Sequence, residues 1–268
     1  MTPRQIGKAA MAAALLLLVG APSLARAGDD DKSGTLTVWT VTAEGKAIGT
    51  ESLRVVHSDS GAFFASGTQK LKAGKAKTEL QSHVQRAADG TLMKYRRVEA
   101  KRKGKGLFVF LREGGARIVG VNSDAKQADL PGILSQHIWD PALWHDLALV
   151  PARLGADSPV TLKYFDVEAR TSGTATFTRG ATTQVTDAKG GLVTVTVWDI
   201  SGAPGTARAL YVDGKRRLVG VRGQDRAMLL KDWTWEDGTK ASGGDDDEAK
   251  PAGGGDDDDE GGEPEVGP

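Results

Sequence analysis

Residues 35 to 56 read TLTVWTVTAEGKAIGTESLRVV, and this stretch sets the pattern for most of the chain. Two runs of alternating apolar and polar residues are joined there by Glu44, Gly45 and Lys46. Alternation with a period of two indicates a strand with one buried face. A glycine after an acidic residue supplies the positive φ of a tight hairpin. The stretch therefore predicts an antiparallel β-hairpin.

Similar runs continue on both sides of a central gap, and turn signals such as Asp89-Gly90 and Asp213-Gly214 separate many of them. The first group of predicted strands covers residues 35–43, 47–56, 62–71, 76–86, 91–100, 107–111 and 116–121. The second group covers residues 160–169, 174–178, 182–186, 192–200, 208–212, 217–222 and 227–233. Many short strands at regular spacing favour a mainly β fold, with one large antiparallel sheet that curls into a half-barrel.

The gap between the two groups, residues 125–158, lacks this alternation and contains several prolines. Asp140 followed by Pro141 is typical of a helix N-cap with proline in the first helical position. Apolar residues then recur at helical spacing, namely Leu143, Trp144, Leu147 and Val150. We predict one short central helix over residues 141–150, with its apolar stripe packed into the concave face of the sheet.

The two ends of the chain differ from this body. Residues 1–27 contain early positive charge, an apolar run and the small residues of a cleavage site near Ala27, which together predict a secretory signal peptide. Residues 28–34 are a predicted disordered linker and residues 35–236 the β domain. Residues 237–268 hold twelve acidic and two basic side chains among glycines and prolines, and this composition predicts a disordered acidic tail. The expected location is periplasmic or secreted.

Composition limits the chemistry. The chain has no cysteine, so disulfides, thiol nucleophiles and thiolate metal sites are excluded. No apolar run after the signal reaches the roughly 20 residues of a transmembrane helix. The glycine-rich places join strand to strand instead of opening a helix, so no phosphate-binding loop is predicted, and we expect no cofactor. An exported protein rarely meets nucleic acid, and we predict none as a partner. Basic runs leave an anionic envelope surface as a candidate partner.

Several segments together resemble a known group of proteins. They are EGKAIGTESLRV (44–55), RAADGTLMKYR (86–96), LPGILSQHIWDPALW (130–144) and ALYVDGKRRLVGVR (209–222). The chain resembles uncharacterised exported bacterial half-barrel proteins related in fold to the lipoprotein-carrier and outer-membrane lipoprotein-receptor proteins. That resemblance implies a concave apolar groove for an acyl chain, so lipid or an acylated protein is a candidate partner. The candidate lining residues are Trp139, Leu143, Trp144, Phe108 and Phe110. The alternative is that these side chains are ordinary core.

The central gap also holds the best candidates for chemistry, His137, Asp140, His145 and Asp146, with Ser135 beside them. The two histidines are eight residues apart, whereas a metal site on one helix needs ligands at i and i+4. No nucleophile elbow of the form Gly-x-Ser-x-Gly occurs. We therefore predict no metal site and no catalytic residue.

Three function hypotheses follow. The first is a non-catalytic, carrier-like binding module for an apolar ligand or acylated partner, which requires an open groove. The second is a structural or protein-interaction component of the envelope, with a filled core and binding through edge strands or the charged surface. The third is a hydrolase or metal-dependent enzyme that uses His137, Asp140 and His145, which requires these side chains to converge in one cleft.

Overall fold

The computed structural model describes residues 34–100, 106–112, 115–121, 128–133, 135–156 and 158–236. The predicted signal peptide, most of the predicted linker and the predicted acidic tail lie outside these residues. Within them, the strands are β1 Thr35–Ala43, β2 Lys46–His57, β3 Phe63–Ala73, β4 Ala76–Arg86, β5 Leu92–Glu99, β6 Gly106–Arg112, β7 Gly115–Val121, β8 Ala128–Pro131, β9 His137–Trp139, β10 Val160–Asp166, β11 Thr171–Thr186, β12 Leu192–Ser201, β13 Ala207–Asp213, β14 Leu218–Gly223, β15 Ala227–Leu230 and β16 Thr234–Trp235. Two 3₁₀ helices cover His145–Leu149 and Pro151–Arg153.

All these strands belong to one sheet, which confirms the predicted mainly β fold. The order is β8-β7-β6-β5-β4-β3-β2-β1-β15-β14-β13-β12-β11-β10-β9, and β16 pairs with β11. The pairs are antiparallel except β9 with β10, which run parallel. Strands β1 to β8 form a first meander and strands β10 to β15 a second. The two meanders meet where β1 pairs with β15, with Trp39 opposite Leu230.

The sheet must curl because its two edge strands are close neighbours in the chain. β8 ends at Pro131 and β9 begins at His137, so at most about 23 Å of chain separates the two edges. In a flat sheet of fifteen strands the edges would lie about 67 Å apart at the usual strand spacing. Only strong curvature brings them together, and the sheet nevertheless stays unclosed between β8 and β9. The concave side of this curl contains the main core.

Residues 140–154, here called the central segment, pack into the concave side of the sheet. Their apolar side chains join the same buried cluster as inward side chains from both meanders. The large members of this cluster include Trp144, Leu147 and Val150 from the central segment, and Trp39, Tyr95, Phe165 and Phe177 from the sheet. The predicted burial of the central apolar stripe is therefore confirmed.

The helix itself is shorter than predicted. Instead of an α-helix over residues 141–150, the segment forms a turn and then the 3₁₀ helix His145–Leu149. Asp140 does not cap this helix, whose N-cap is Trp144. Its Oδ1 instead accepts the backbone N–H of Ala142 at 3.1 Å in the preceding turn. The backbone N–H groups of Leu143 and Leu147 donate to carbonyls three residues back, and that of His145 donates to Glu51, so the segment follows 3₁₀ and not α-helical hydrogen bonding. Among the described residues, no helix has the length and apolarity needed to cross a membrane.

The strand predictions differ from the structure in two further places. The predicted strands 174–178 and 182–186 are one strand, β11, with a register shift between Arg179 and Thr182. The short strands β8, β9 and β16 were not predicted. They contain two to four residues each, too few for alternation to be visible.

The convex face of the second meander carries a smaller core. Trp235 packs there against Val185, Val195, Val219 and Leu229. The Trp235 ring lies over Gly220, and a methyl group at position 220 would press into that ring. The end of the described chain therefore covers the convex face of β11 to β15.

Candidate functional site

The floor of the concave side beneath the central segment is polar. Glu51 on β2, Gln69 on β3 and Ser82 on β4 all lie on the concave side and are buried. Gly67 on β3 is opposite Ser82 in the register. A methyl group at Gly67 would overlap the imidazole ring of His145. The missing side chain thus creates a recess that His145 fills.

His145 connects the first 3₁₀ helix to the sheet. Its Nδ1 lies 2.9 Å from Oε2 of Glu51, and its Nε2 lies 2.8 Å from Oγ of Ser82. The backbone N–H of His145 also donates to Oε2 of Glu51 at 2.7 Å. Nε2 of Gln69 donates to Oε1 of Glu51 at 2.9 Å and to the carbonyl of Ala142 at 2.6 Å. These bonds fasten the central segment to β2, β3 and β4.

The charges of the network favour a protonated His145. Burial lowers the pKa of His145, but Asp146 and Glu51 raise it, and the net direction is upward. For Glu51, burial raises the pKa, while the hydrogen bond and charge of His145 lower it, with a net lowering. With both ring nitrogens protonated, His145 donates to Glu51 and to Oγ of Ser82. The hydroxyl of Ser82 then donates to Oδ1 of Asp146 at 3.2 Å.

Glu51, His145 and Ser82 are the three side-chain types of a serine hydrolase triad, but the direction of their hydrogen bonds differs from that of a triad. In such a triad the serine hydroxyl donates to a neutral imidazole and attacks a substrate that reaches it from solvent. Here the hydroxyl of Ser82 donates to Asp146, and Ser82 is 0% exposed. The central segment supplies His145 and also covers Ser82, so displacing the cover would remove the base. The geometry fits a structural fastening.

A second buried network holds the start of the central segment. Oδ2 of Asp140 accepts the hydroxyl hydrogen of Tyr95 at 2.7 Å, and Oδ1 accepts from the guanidinium of Arg97 at 2.8 Å. Burial and the charge of Asp140 raise the pKa of Tyr95 well above its ordinary value, so its hydroxyl remains a donor. Asp140 is therefore tied to β5.

His137 and Asp146 approach each other across a cavity of about 10 Å³, which Asp140 and Trp144 also line. Burial and the nearby charges of Arg86 and Arg153 lower the pKa of His137 to about 3, so its ring is neutral. The cavity has about the volume of one water molecule, far below that of a substrate. In the described part of the chain, no three His, Asp or Glu side chains are grouped to hold a metal ion.

Three of the five predicted groove residues lie on the concave side of the sheet, and two lie on its convex face. Trp139, Leu143 and Trp144 are core residues with 4%, 1% and 2% of their surface exposed. Phe108 and Phe110 lie on the convex face of β6. Contact of any of them with a ligand stays a prediction.

An open cleft of about 400 Å³ lies beside the central segment. Its lining residues include Gln69, Thr78, Glu168, Thr206, Asp225 and Arg226. The guanidinium of Arg226 stacks over Trp144, 4.1 Å from the ring centroid, and donates to the carbonyl of Ala142 at 3.2 Å. The lining surface is mostly apolar, with charged groups supplied by Glu168, Asp225 and Arg226. The cleft adjoins the Glu51 network through Gln69 and Arg226.

The convex face of β2 to β6 carries basic and aromatic side chains in two neighbouring rows. In one row the register aligns Phe64, Gln85, Lys94 and Phe110. In the other it aligns Arg54, Ser66, His83, Arg96 and Phe108. We call six of these residues the basic–aromatic patch: Arg54, Phe64, Lys94, Arg96, Phe108 and Phe110.

The patch is positive and partly apolar. Phe64 is 44% exposed and Phe110 is 37% exposed, while the guanidinium of Arg96 lies over the ring of Phe108, 5.4 Å from its centroid. Burial and the charges of Arg96 and Lys94 lower the pKa of His83, which lies between Ser66 and Arg96 in the second row. Unlike the convex face of β11 to β15, this surface has no covering core cluster among the described residues.

Comparison with known proteins does not assign the chain to a family. No protein-family model matches it, and no curated protein matches it. The similar solved structures include the following two. One is a beta-barrel-like protein of domain of unknown function DUF1849 from Brucella abortus, with a TM-score of 0.48 and 12% identity, covering 75% of this chain and 97% of the other. The other is a DUF1089 family protein from Pseudomonas aeruginosa, with a TM-score of 0.40 and 15% identity, covering 65% and 89%. Similarity at this level carries no information on activity, and the relationship to lipoprotein carriers stays a prediction.

Sequence reasoning found Asp140, His145 and Asp146 but missed their partners on the sheet. Glu51 is two residues from the inward Leu53 on β2, and Ser82 lies between the inward Leu80 and Val84 on β4. A polar residue at such a position is the signal that could have identified them, because buried polar groups need partners.

The recess beneath His145 generates one prediction. Gly67→Ala will push the imidazole out of its place and lower the free energy of unfolding by about 1 to 3 kcal/mol, the usual cost of overpacking. Denaturant unfolding measures this change. Gly214→Ala is the matched control, since nothing lies within 4 Å of the position its methyl group would take, and it will change stability by less than about 0.5 kcal/mol. Equal stability of the two variants would contradict the described placement of His145.

Asp146 generates a pH prediction. Burial raises its pKa to about 6 from an ordinary value of 3.8, and the neighbouring carboxylates of Asp140 and Glu51 add to the rise, while His145 and Ser82 oppose it. The fold favours protonated Asp146, so this stabilisation is complete below pH 3.8 and is lost as pH rises through about 6. Asp146→Asn cannot ionise, and its stability will gain on the parent chain from pH 4 to pH 7.5, by up to about 3 kcal/mol.

Denaturant midpoints across that pH range measure the gain. Asp59→Asn, at an exposed turn, is the control and will run parallel to the parent. A constant difference between Asp146→Asn and the parent at every pH would show that Asp146 keeps an ordinary pKa.

Proposed function

We propose that this protein is an exported, non-catalytic interaction component of the cell envelope that docks on an anionic lipid surface through the basic–aromatic patch. Export is supported by the signal pattern of residues 1–27. The observation that carries the docking proposal is the patch itself, with three basic and three aromatic side chains in two rows of one convex face. Aromatic rings and long basic side chains are the residues that favour a membrane interface.

The filled interior supports binding on the outside. The central segment occupies the concave side, and Trp139, Leu143 and Trp144 are packed around a space of only about 10 Å³. An acyl chain requires a pocket more than ten times larger. The interaction hypothesis required a filled core and a charged surface, and the described residues have both.

The charges of the patch fit a lipid headgroup layer. Near an anionic surface each Lys or Arg contributes about 1 kcal/mol of attraction. Arg54, Lys94 and Arg96 together then account for a change in affinity of about 100-fold, and Phe64 and Phe110 add apolar contact with the interface. Binding driven in this way weakens as salt rises.

Vesicle sedimentation tests the proposal. The chain from Gly28 to Pro268, and a chain ending at Glu236, which retains every described strand, will bind phosphatidylglycerol vesicles at 50 mM salt. Neither will bind phosphatidylcholine vesicles. Replacing Arg54, Lys94 and Arg96 with Gln will weaken binding at least 10-fold, because the attraction is lost.

The control removes the same net charge elsewhere. Lys46 at the start of β2 and the turn residues Lys75 and Lys189 are exposed and lie outside the patch. Their replacement with Gln will leave most of the affinity. Equal loss in the two triple variants would show that net charge, not the patch, governs binding. No binding by either chain length would overturn the proposal.

A carrier of apolar ligands is the second candidate, and one observation favours it: the cleft of about 400 Å³ has the volume of a small-ligand pocket. Its lining combines mostly apolar surface with the charged groups of Glu168, Asp225 and Arg226, which suits a ligand with a polar head and an apolar chain. Native mass spectrometry with organic extraction tests this. A bound lipid that disappears in Trp144→Ala but persists in Phe110→Ala would favour the carrier, and a clean apo mass would reject it.

A further inference from the structure

The predicted acidic tail has a charge opposite to that of the basic–aromatic patch. Residues 245–260, here called the acidic segment, contain nine acidic side chains and one lysine, and they lie outside the described residues. Two dense runs, DDDE at 245–248 and DDDDE at 256–260, flank a short spacer. The chain therefore contains its own polyanionic segment.

The described chain ends on the same face of the sheet as the patch. Trp235 packs on the convex face against Tyr211 and Leu229. Leu229 is opposite Thr40 on β1, and Thr40 is opposite Thr50 on β2. The row beneath Trp235 thus continues across the convex face into the strands that carry the patch.

The spacing between the end of the structure and the patch matches the length of chain available. Glu236 itself lies beside β11, because β16 pairs with β11, while Trp235 packs against Leu229 of β15. The strands that carry the patch, β2 to β6, are two to six strands beyond β15, or about 10 to 30 Å along the sheet. From Glu236 to Asp245 is nine residues, which span at most about 30 Å. The second acidic run begins eleven residues later, so both runs can lie on the patch.

We infer that the acidic segment docks on the basic–aromatic patch and competes there with an anionic surface. The docking rests on charge, reach and the shared face, while the competition rests on the proposed function. Attraction between the two is electrostatic and mostly solvent-exposed, so salt at several hundred millimolar will release it. Nothing in this contact requires the segment to adopt a regular structure.

The absence of cysteine from the chain allows a direct test. Ala252→Cys in the chain from Gly28 to Pro268 provides one site for a spin label. At 50 mM salt, amide signals of β3 to β6 around the patch will broaden more than those of β12 to β14, and 500 mM salt will restore them. The patch variant, with Arg54, Lys94 and Arg96 replaced by Gln, will lose the broadening, and the control variant at Lys46, Lys75 and Lys189 will keep it.

Three results would overturn the docking. They are uniform broadening, broadening centred on another face, and broadening that vanishes on dilution with unlabelled protein, which would identify a second copy as the occupant.

Sedimentation tests the competition: deletion of residues 237–268 will raise the affinity for phosphatidylglycerol vesicles at least 10-fold at 50 mM salt. Equal affinity with and without the tail would refute the competition. Selective broadening with no vesicle binding by either chain would uphold the docking and reject the proposed function.

Discussion

The hydrogen bonds between Glu51 and His145 are the contact on which the rest of the concave side depends. One carboxylate oxygen receives both the backbone N–H and the Nδ1 of His145, while the other receives Gln69. A buried carboxylate is costly without such partners, and three donors together with the positive ring offset that cost. With this contact in place, the apolar residues of the central segment are held against both meanders. Without it, the buried polar side chains of Glu51, Gln69 and Ser82 would face the apolar residues of the central segment.

The two faces of the sheet carry different kinds of side chain. The concave face is polar beneath the central segment, where Glu51, Gln69 and Ser82 find partners, and most of its other buried side chains are apolar. The convex face is covered by Trp235 on the second meander but carries exposed charge and aromatic rings on the first. The network of Glu51, Ser82 and His145 thus lies in the interior, whereas the basic and aromatic side chains of the patch lie on the surface.

The sequence predicted the strands because alternation and turn residues are local signals. Thr35–Ala43 and Ala76–Arg86 match their predicted bounds, and most of the other long strands differ by only one or two residues at each end. The network of Glu51, Ser82 and His145 could not be predicted, because its members are 31 and 63 positions apart and meet only through the strand register. The helix over residues 141–150 was predicted too long, since periodicity records which side chains are buried and not which hydrogen bonds the backbone makes. The patch was missed for a similar reason, as Arg54, Lys94 and Phe110 become neighbours only in the paired sheet.

The pairing of β1 with β15 has a consequence for the order in which the molecule can be completed. Trp39 and Leu230 are about 190 residues apart, so the first strand emerges from the ribosome long before its partner exists. At about 5 to 20 residues per second, the wait is about 10 to 40 seconds. Throughout that time one edge of β1 has no strand beside it, and the two meanders cannot share a core. The domain is completed from its C-terminal end, and a chain that has lost its last few strands has also lost the seam that holds the first.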